Sequence, residues 1–231
     1  MSSRGAPFGL ALLVLAGGCE QASEQSAFPK PQRPVAPIVS PRYSNEDARD
    51  SVGEAETVMK LADIREGMYV ADIGAGEGYY TVRLAPLVGK RGRVLAQDIV
   101  PETRNALAQR IQRENIENVA VKLGEPNNPH LPDGSFDRIL LIHMYHEIEL
   151  PSEFLWHVRA DLKPDGRVVV VDADRPTDRH GTPPKLLICE FGAIGYQLTR
   201  FERLADTESY FAQFEPRGPR PEPGSIPSCP A

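Results

Sequence analysis

Cysteine is scarce, with three in 231 residues, and none has the paired spacing of a metal finger. Cys189 lies in the apolar stretch "PPKLLICEFGAIG", where a buried free thiol is the commoner state, so no disulfide with Cys229 is expected. Runs of Lys or Arg are also missing, and the net charge is -6. A protein whose main partner is nucleic acid neutralises phosphates, so that class is set aside in favour of small molecules or proteins. No internal repeat is visible. What is present is an ordinary globular composition, about a quarter charged, enough for one domain with a sizeable core.

The two ends differ from the middle. "MSSRGAPFGLALLVLAGGCE" carries one Arg, an apolar stretch of roughly ten residues, small residues and a Cys, the layout of a secretory signal and too short to span a membrane stably. Its end, "LAGGC", resembles a bacterial lipobox with Ala16 three residues before Cys19. That resemblance implies a signal peptide over 1–18, lipidation at Cys19, and a protein held at the periplasmic face of a membrane. The other reading is an apolar leader on a cytoplasmic protein. Residues 19–42 are rich in Pro, Gln and Ser and read as a flexible tether. The tail 217–231, "RGPRPEPGSIPSCPA", has too many Pro for a helix or central strand and is expected to be disordered. The folded unit is therefore 43–216.

Inside that unit, apolar runs alternate with helical patterns. "MYVADIG", "GRVLAQDI", "NVAVKLG", "FDRILLIH" and "GRVVVVDA" read as strands, with helices between them. Runs such as "VVVV" suit strands covered on both faces. The succession predicts an α/β fold with a doubly wound, mostly parallel seven-stranded sheet, helices on both faces, and "YQLTRFERL" with "ESYFAQFEP" as an antiparallel C-terminal hairpin. The stretch "NEDARDSVGEAETVMKLADI" shows helical spacing and is expected to lie over one end.

At the end of the first strand stands "DIGAGEG", with Asp72 two residues before Gly74 and further glycines at 76 and 78. Glycines in that turn let the backbone bend and approach a ligand, in the place where open α/β sheets bind one. Asp98 closes the second strand about two dozen residues on, where a carboxylate accepts ribose hydroxyls. The dinucleotide fingerprint spaces its glycines differently and offers a helix N-terminus to a pyrophosphate. A carboxylate at position 72 repels that anion but favours a cationic sulfonium.

Taken together, "VADIGAGEGYYTVRLAPLVGKRGRVLAQDI", "LPDGSFDRILLIHMYHEI" and "LKPDGRVVVVD" resemble class I S-adenosylmethionine-dependent methyltransferases over about 45–215. The resemblance implies that Asp72, Gly74, Ala75, Gly76 and Gly78 bind the methionine side of S-adenosylmethionine and that Asp98 holds the ribose. It also implies an adenine contact after the third strand, with Glu125 the candidate and Asn127 the weaker one.

Methyl transfer from a sulfonium needs alignment and, for some acceptors, proton removal. The end of the fourth strand, "IHMYHEI", therefore nominates His146 or His143 as general base, and Tyr145 and Glu147 as acceptor contacts. His180, with Arg179 beside it, either touches the acceptor or caps the next helix. The order His-x-x-His-Glu is not the zinc helix signature, and no metal ligand is expected. The tetrapeptide of nucleic-acid amino methyltransferases is absent. These features give a methyltransferase acting on a small or lipid-like acceptor, anchored through Cys19. The alternative is an exported binding lipoprotein that holds a nucleoside ligand without turnover, and a nicotinamide oxidoreductase is the third reading.

Overall fold

A computed structural model of the chain describes residue 1 and residues 26–38, 46–205 and 207–230. The signal segment, Cys19 and part of the tether lie outside the described residues. Two short helices open the domain, α1 (Glu46–Ser51) and α2 (Glu54–Leu61). One helical stretch was expected here. Gly53 breaks it at a φ of +62°, a conformation that suits glycine and ends a helix.

From there strands and helices alternate as β1 (Tyr69–Ile73), α3 (Tyr79–Val88), β2 (Arg93–Asp98), α4 (Pro101–Arg113), β3 (Val119–Leu123), β4 (Phe136–Ile142), α5 (Pro151–Asp161), β5 (Leu162–Ala173), α6 (Pro184–Ala193), β6 (Tyr196–Arg203) and β7 (Ser209–Pro216). The sheet order is β3-β2-β1-β4-β5-β7-β6, parallel as far as β5 and antiparallel for the final hairpin. The seven-stranded doubly wound sheet is thus present, and its order reverses between β1 and β4, which places the ligand crevice at the carboxyl ends of those two strands.

The unbroken apolar runs of β4 and β5 explain why helices cover both faces. Ile139, Leu141, Val168 and Val170 point into one core cluster with Leu155 of α5 and Phe191 of α6. Their neighbours Leu140, Ile142, Val169 and Val171 point into the other, with Val58 of α2 and Leu84 of α3. Alternate side chains on opposite faces, all apolar, bury both sides of a strand pair.

Both flanking segments correct the sequence-based expectation. In the described part of the tether, the Arg33 guanidinium is buried against Glu190 of α6 at 2.9 Å and donates to the carbonyls of Tyr145 and Ile148. Phe28 packs edge-on against Trp156, and the Ala36 N–H donates to the His146 carbonyl. The tail is also fastened: Trp156 donates to the Pro221 carbonyl, Arg159 to those of Arg217 and Gly218, and Ile226 is buried. Cys189 and Cys229 form a disulfide, contrary to the free thiol expected. Extended Pro-rich chain lacks periodicity because side-chain clamps and a cross-link hold it, and neither device leaves a repeating pattern.

Candidate active site

The glycine turn follows directly from β1. Gly74, Gly76 and Gly78 all have positive φ, at 67°, 57° and 90°, but they do different work. A side chain at Gly78 would meet the Leu107 Cδ1 at 2.4 Å, so this glycine lets α4 pack close. One at Gly74 would touch Met144, and one at Gly76 would meet nothing within 4 Å. Gly76 therefore borders open space, where a ligand can come close to the turn.

Asp98, at the end of β2, accepts hydrogen bonds from the Gly76 N–H at 3.0 Å and the Val100 N–H at 2.9 Å. Each carboxylate oxygen retains a further lone pair. Asp72 sits behind the turn rather than in the cavity lining, taking the Thr81 hydroxyl at 2.6 Å. Burial pushes its carboxyl up to about 6, against the pull of Thr81.

A cavity of about 720 Å³ opens over these strand ends, within the usual range for small-molecule sites. Gly74, Ala75, Gly76, Asp98 and Glu125 line one end, and His143, His146, Glu147 and His180 the other. Glu125 also pairs with His130 at 3.1 Å, whereas Asn127 does not line the cavity. Carboxylates outnumber cations: Glu54, Glu77, Asp98, Glu125, Glu147 and Glu149 face two arginines, Arg49 and Arg175. Such a wall favours a ligand with a positive centre over a diphosphate.

The residues after β4 part company. Tyr145, expected on the acceptor wall, is fully buried and points away from the cavity, donating its hydroxyl to Glu190 at 2.7 Å and packing on Phe191. Burial and the Glu190 carboxylate hold its phenol well above the usual range. His143, with a left-handed φ of 54°, has its Nε2 3.3 Å from Glu54. Burial would raise the Glu54 carboxyl, yet His143 and Arg49 outweigh it and bring the group down to about 2.

His146 is differently placed. Its Nδ1 lies 2.9 Å from Asp172 Oδ1, and Asp172, wholly buried at the end of β5, also accepts from the Thr182 hydroxyl and the Ala173 N–H. With Nδ1 keeping its proton and donating it in a hydrogen bond to the carboxylate, the lone pair of the ring lies on Nε2 and points the other way. The His180 ring stands edge-on to it at 5.4 Å, and Arg179 does not line the cavity. Asp172, Glu54 and Arg49 were not singled out in the sequence. For Asp172 the signal was an acidic residue closing an apolar strand, as Asp98 closes β2.

Fold and cavity together define a doubly wound α/β protein with a nucleoside-type site at its switch point. The chain belongs to the methyltransferase-domain family, whose model matches residues 64–208, and S-adenosylmethionine is the donor of that class. It is 31% identical over 110 residues to a protein-L-isoaspartate O-methyltransferase of Methanothrix thermoacetophila, across 48% of this chain and 50% of that one. It is 25% identical over 146 residues to a demethylmenaquinone methyltransferase of Lactobacillus johnsonii, across 61% and 59%. The chain spans about half the length of the curated relatives it matches. Among solved structures, a SAM-dependent methyltransferase from Aquifex aeolicus shares the fold with a TM-score of 0.68 at 24% identity, over 72% of this chain and 92% of that one.

Proposed function

We propose that this protein methylates a hydroxyl of a small or lipid-like acceptor, using S-adenosylmethionine. The observation that carries the reading is the pairing, in one cavity, of the open glycine turn and Asp98 at one end with the Asp172-oriented His146 at the other. The residues fit the donor: Gly76 leaves space that a side chain would fill, and the Asp98 carboxylate suits a pair of ribose hydroxyls. When bound, S-adenosylmethionine supplies a methyl group already activated on a sulfonium, so the chain's own task is alignment and deprotonation. Asp172 fixes the ring of His146, and the Nε2 lone pair is where removal of the acceptor's proton depends. His143 is a poorer base, since Glu54 already engages its Nε2.

We further place the protein outside the cytoplasm, lipid-anchored through Cys19. The Cys189–Cys229 disulfide supports this, because such bonds persist in oxidising compartments. Fractionation of a tagged chain tests it: full-length, unprocessed protein in the cytosol defeats the anchor.

Calorimetry of the full chain tests the donor. Saturable binding of S-adenosylmethionine but not of a nicotinamide dinucleotide, weakened at least tenfold in Asp98→Ala, is the expected result; binding of neither ligand removes the enzymatic reading. A hydroxyl-acceptor screen follows.

A further inference from the structure

The acceptor end of the cavity holds a donor set that sequence order concealed. His146 and Glu147 come from the turn after β4 and His180 from the loop after β5, and one ligand atom of each lies within 4.8 Å of the others. Three observations separate this from a chance meeting of polar groups. The first is orientation: His146 is held through Nδ1 by Asp172, which is itself fixed by Thr182 and Ala173. Ligating histidines are oriented in this way, with a carboxylate on the ring nitrogen opposite the metal. The second is an orphan: His180 Nδ1 is buried with no hydrogen-bond partner among the described residues, a state that is costly unless something supplies the partner. The third is backbone conformation. His180 has a left-handed φ of 55°, a region in which histidine is enriched among non-glycine residues, and that local bend sets its ring beside His146.

We propose that His146, Glu147 and His180 bind a divalent transition-metal cation, and that this cation holds the acceptor's oxygen. Two imidazoles and a carboxylate suit zinc, cobalt or iron(II) rather than magnesium or calcium. Three protein ligands also leave coordination positions open for an acceptor. A hydroxyl bound to such a cation is acidified: its O–H bond breaks, the electron pair stays on the metal-held oxygen, and the proton leaves to solvent without change of oxidation state. The role of the site rests on the methyl-transfer reading, in which the His146 lone pair then acts by holding the cation rather than by taking the proton. The existence of the site does not rest on it.

The test is a cobalt(II) titration of the metal-free full chain, read by the visible absorption of the bound ion and by displacement with zinc. One cobalt per chain is expected, with a dissociation constant in the micromolar range or below. Binding should weaken at least a hundredfold in His146→Ala and in His180→Ala, fall about 10–100-fold in Asp172→Asn, and survive in His157→Gln, a histidine outside the cavity. Thermal melts identify any variant that fails to fold; His180→Ala, in a loop, then carries the comparison with Glu147→Gln. No saturable cobalt spectrum, or binding that persists in the folded ligand variants, overturns the proposal. S-adenosylmethionine titrated into the same wild-type sample keeps the two readings apart: donor binding without cobalt binding sinks the metal site alone, and cobalt binding without donor binding leaves the site and sinks its catalytic role.

Discussion

Asp172, at the end of β5, and His146, in the turn that follows the neighbouring parallel strand β4, meet at 2.9 Å with both side chains buried. The carboxylate fixes which ring nitrogen faces the cavity. Asp172→Asn keeps the shape but can present its amide N–H to Nδ1, which leaves the proton on Nε2 and removes the lone pair. Once an acceptor is in hand, kcat should fall about 10²–10⁴-fold, with the S-adenosylmethionine dissociation constant changed less than threefold. An unchanged kcat in a folded variant removes His146 from the mechanism.

The three glycines of the turn separate binding from packing. Gly76→Ala puts a methyl into the space beside the ligand at a φ of 57°, costing about 1–2 kcal/mol of stability but weakening S-adenosylmethionine at least tenfold. Gly78→Ala drives a methyl to 2.4 Å from the Leu107 side chain. Overpacking of that kind should lower stability by about 1–3 kcal/mol. Urea unfolding and calorimetry on both variants check the contrast, and equal effects on binding would show that Gly76 does not border the donor.

Much of this was legible because strand and turn signals are local. The runs "RILLI" and "VVVV" gave buried parallel strands, and "DIGAGEG" with Asp98 gave the switch-point turn. What the sequence concealed depends on meetings across the fold. Arg33 reaches Glu190 over a separation of 157 residues, and His180 joins His146 only because β5 lies beside β4. Tyr145 was misplaced for a different reason: the turn Tyr145–Glu147 sends consecutive side chains in different directions, so neighbours in "MYHE" do not share a wall.

The disulfide closes a loop with a sequence separation of 40. Loop-closure entropy for that length corresponds to about 4 kcal/mol. Cys229→Ser should therefore destabilise the oxidised protein by about 2–4 kcal/mol and expose the tail to tryptic cleavage after Arg217. Mass spectrometry of limited tryptic digests shows it; a tail as resistant in the variant as in the wild type means that the Trp156 and Arg159 contacts suffice.

Arg33 and Glu190 are a buried pair at 2.9 Å, and Tyr145 shares the same carboxylate. Removing only the cation in Arg33→Met leaves a buried charge and should cost about 3–5 kcal/mol. Neutralising both in Arg33→Met/Glu190→Gln should recover most of it. A double variant no more stable than the single one would show that the guanidinium acts mainly through the carbonyls of Tyr145 and Ile148.

Asp161, at the end of α5, does not line the cavity and is nearly fully buried, with Oδ2 unpartnered among the described residues. Burial, assisted by Asp133, pushes its carboxyl up to about 7 from an ordinary 3.8. The native chain therefore holds a proton that the unfolded chain has released between those values, and stability falls as pH rises through that window. Above it the folded state carries a buried charge. Each pKa unit corresponds to about 1.4 kcal/mol, discounted here because water relaxes around the site. Asp161→Asn should thus be more stable than the wild type by about 2 kcal/mol at pH 8 and equal to it at pH 3.5, in urea melts at both values. A gain of the same size at both pH values would trace the effect to packing and not to the charge.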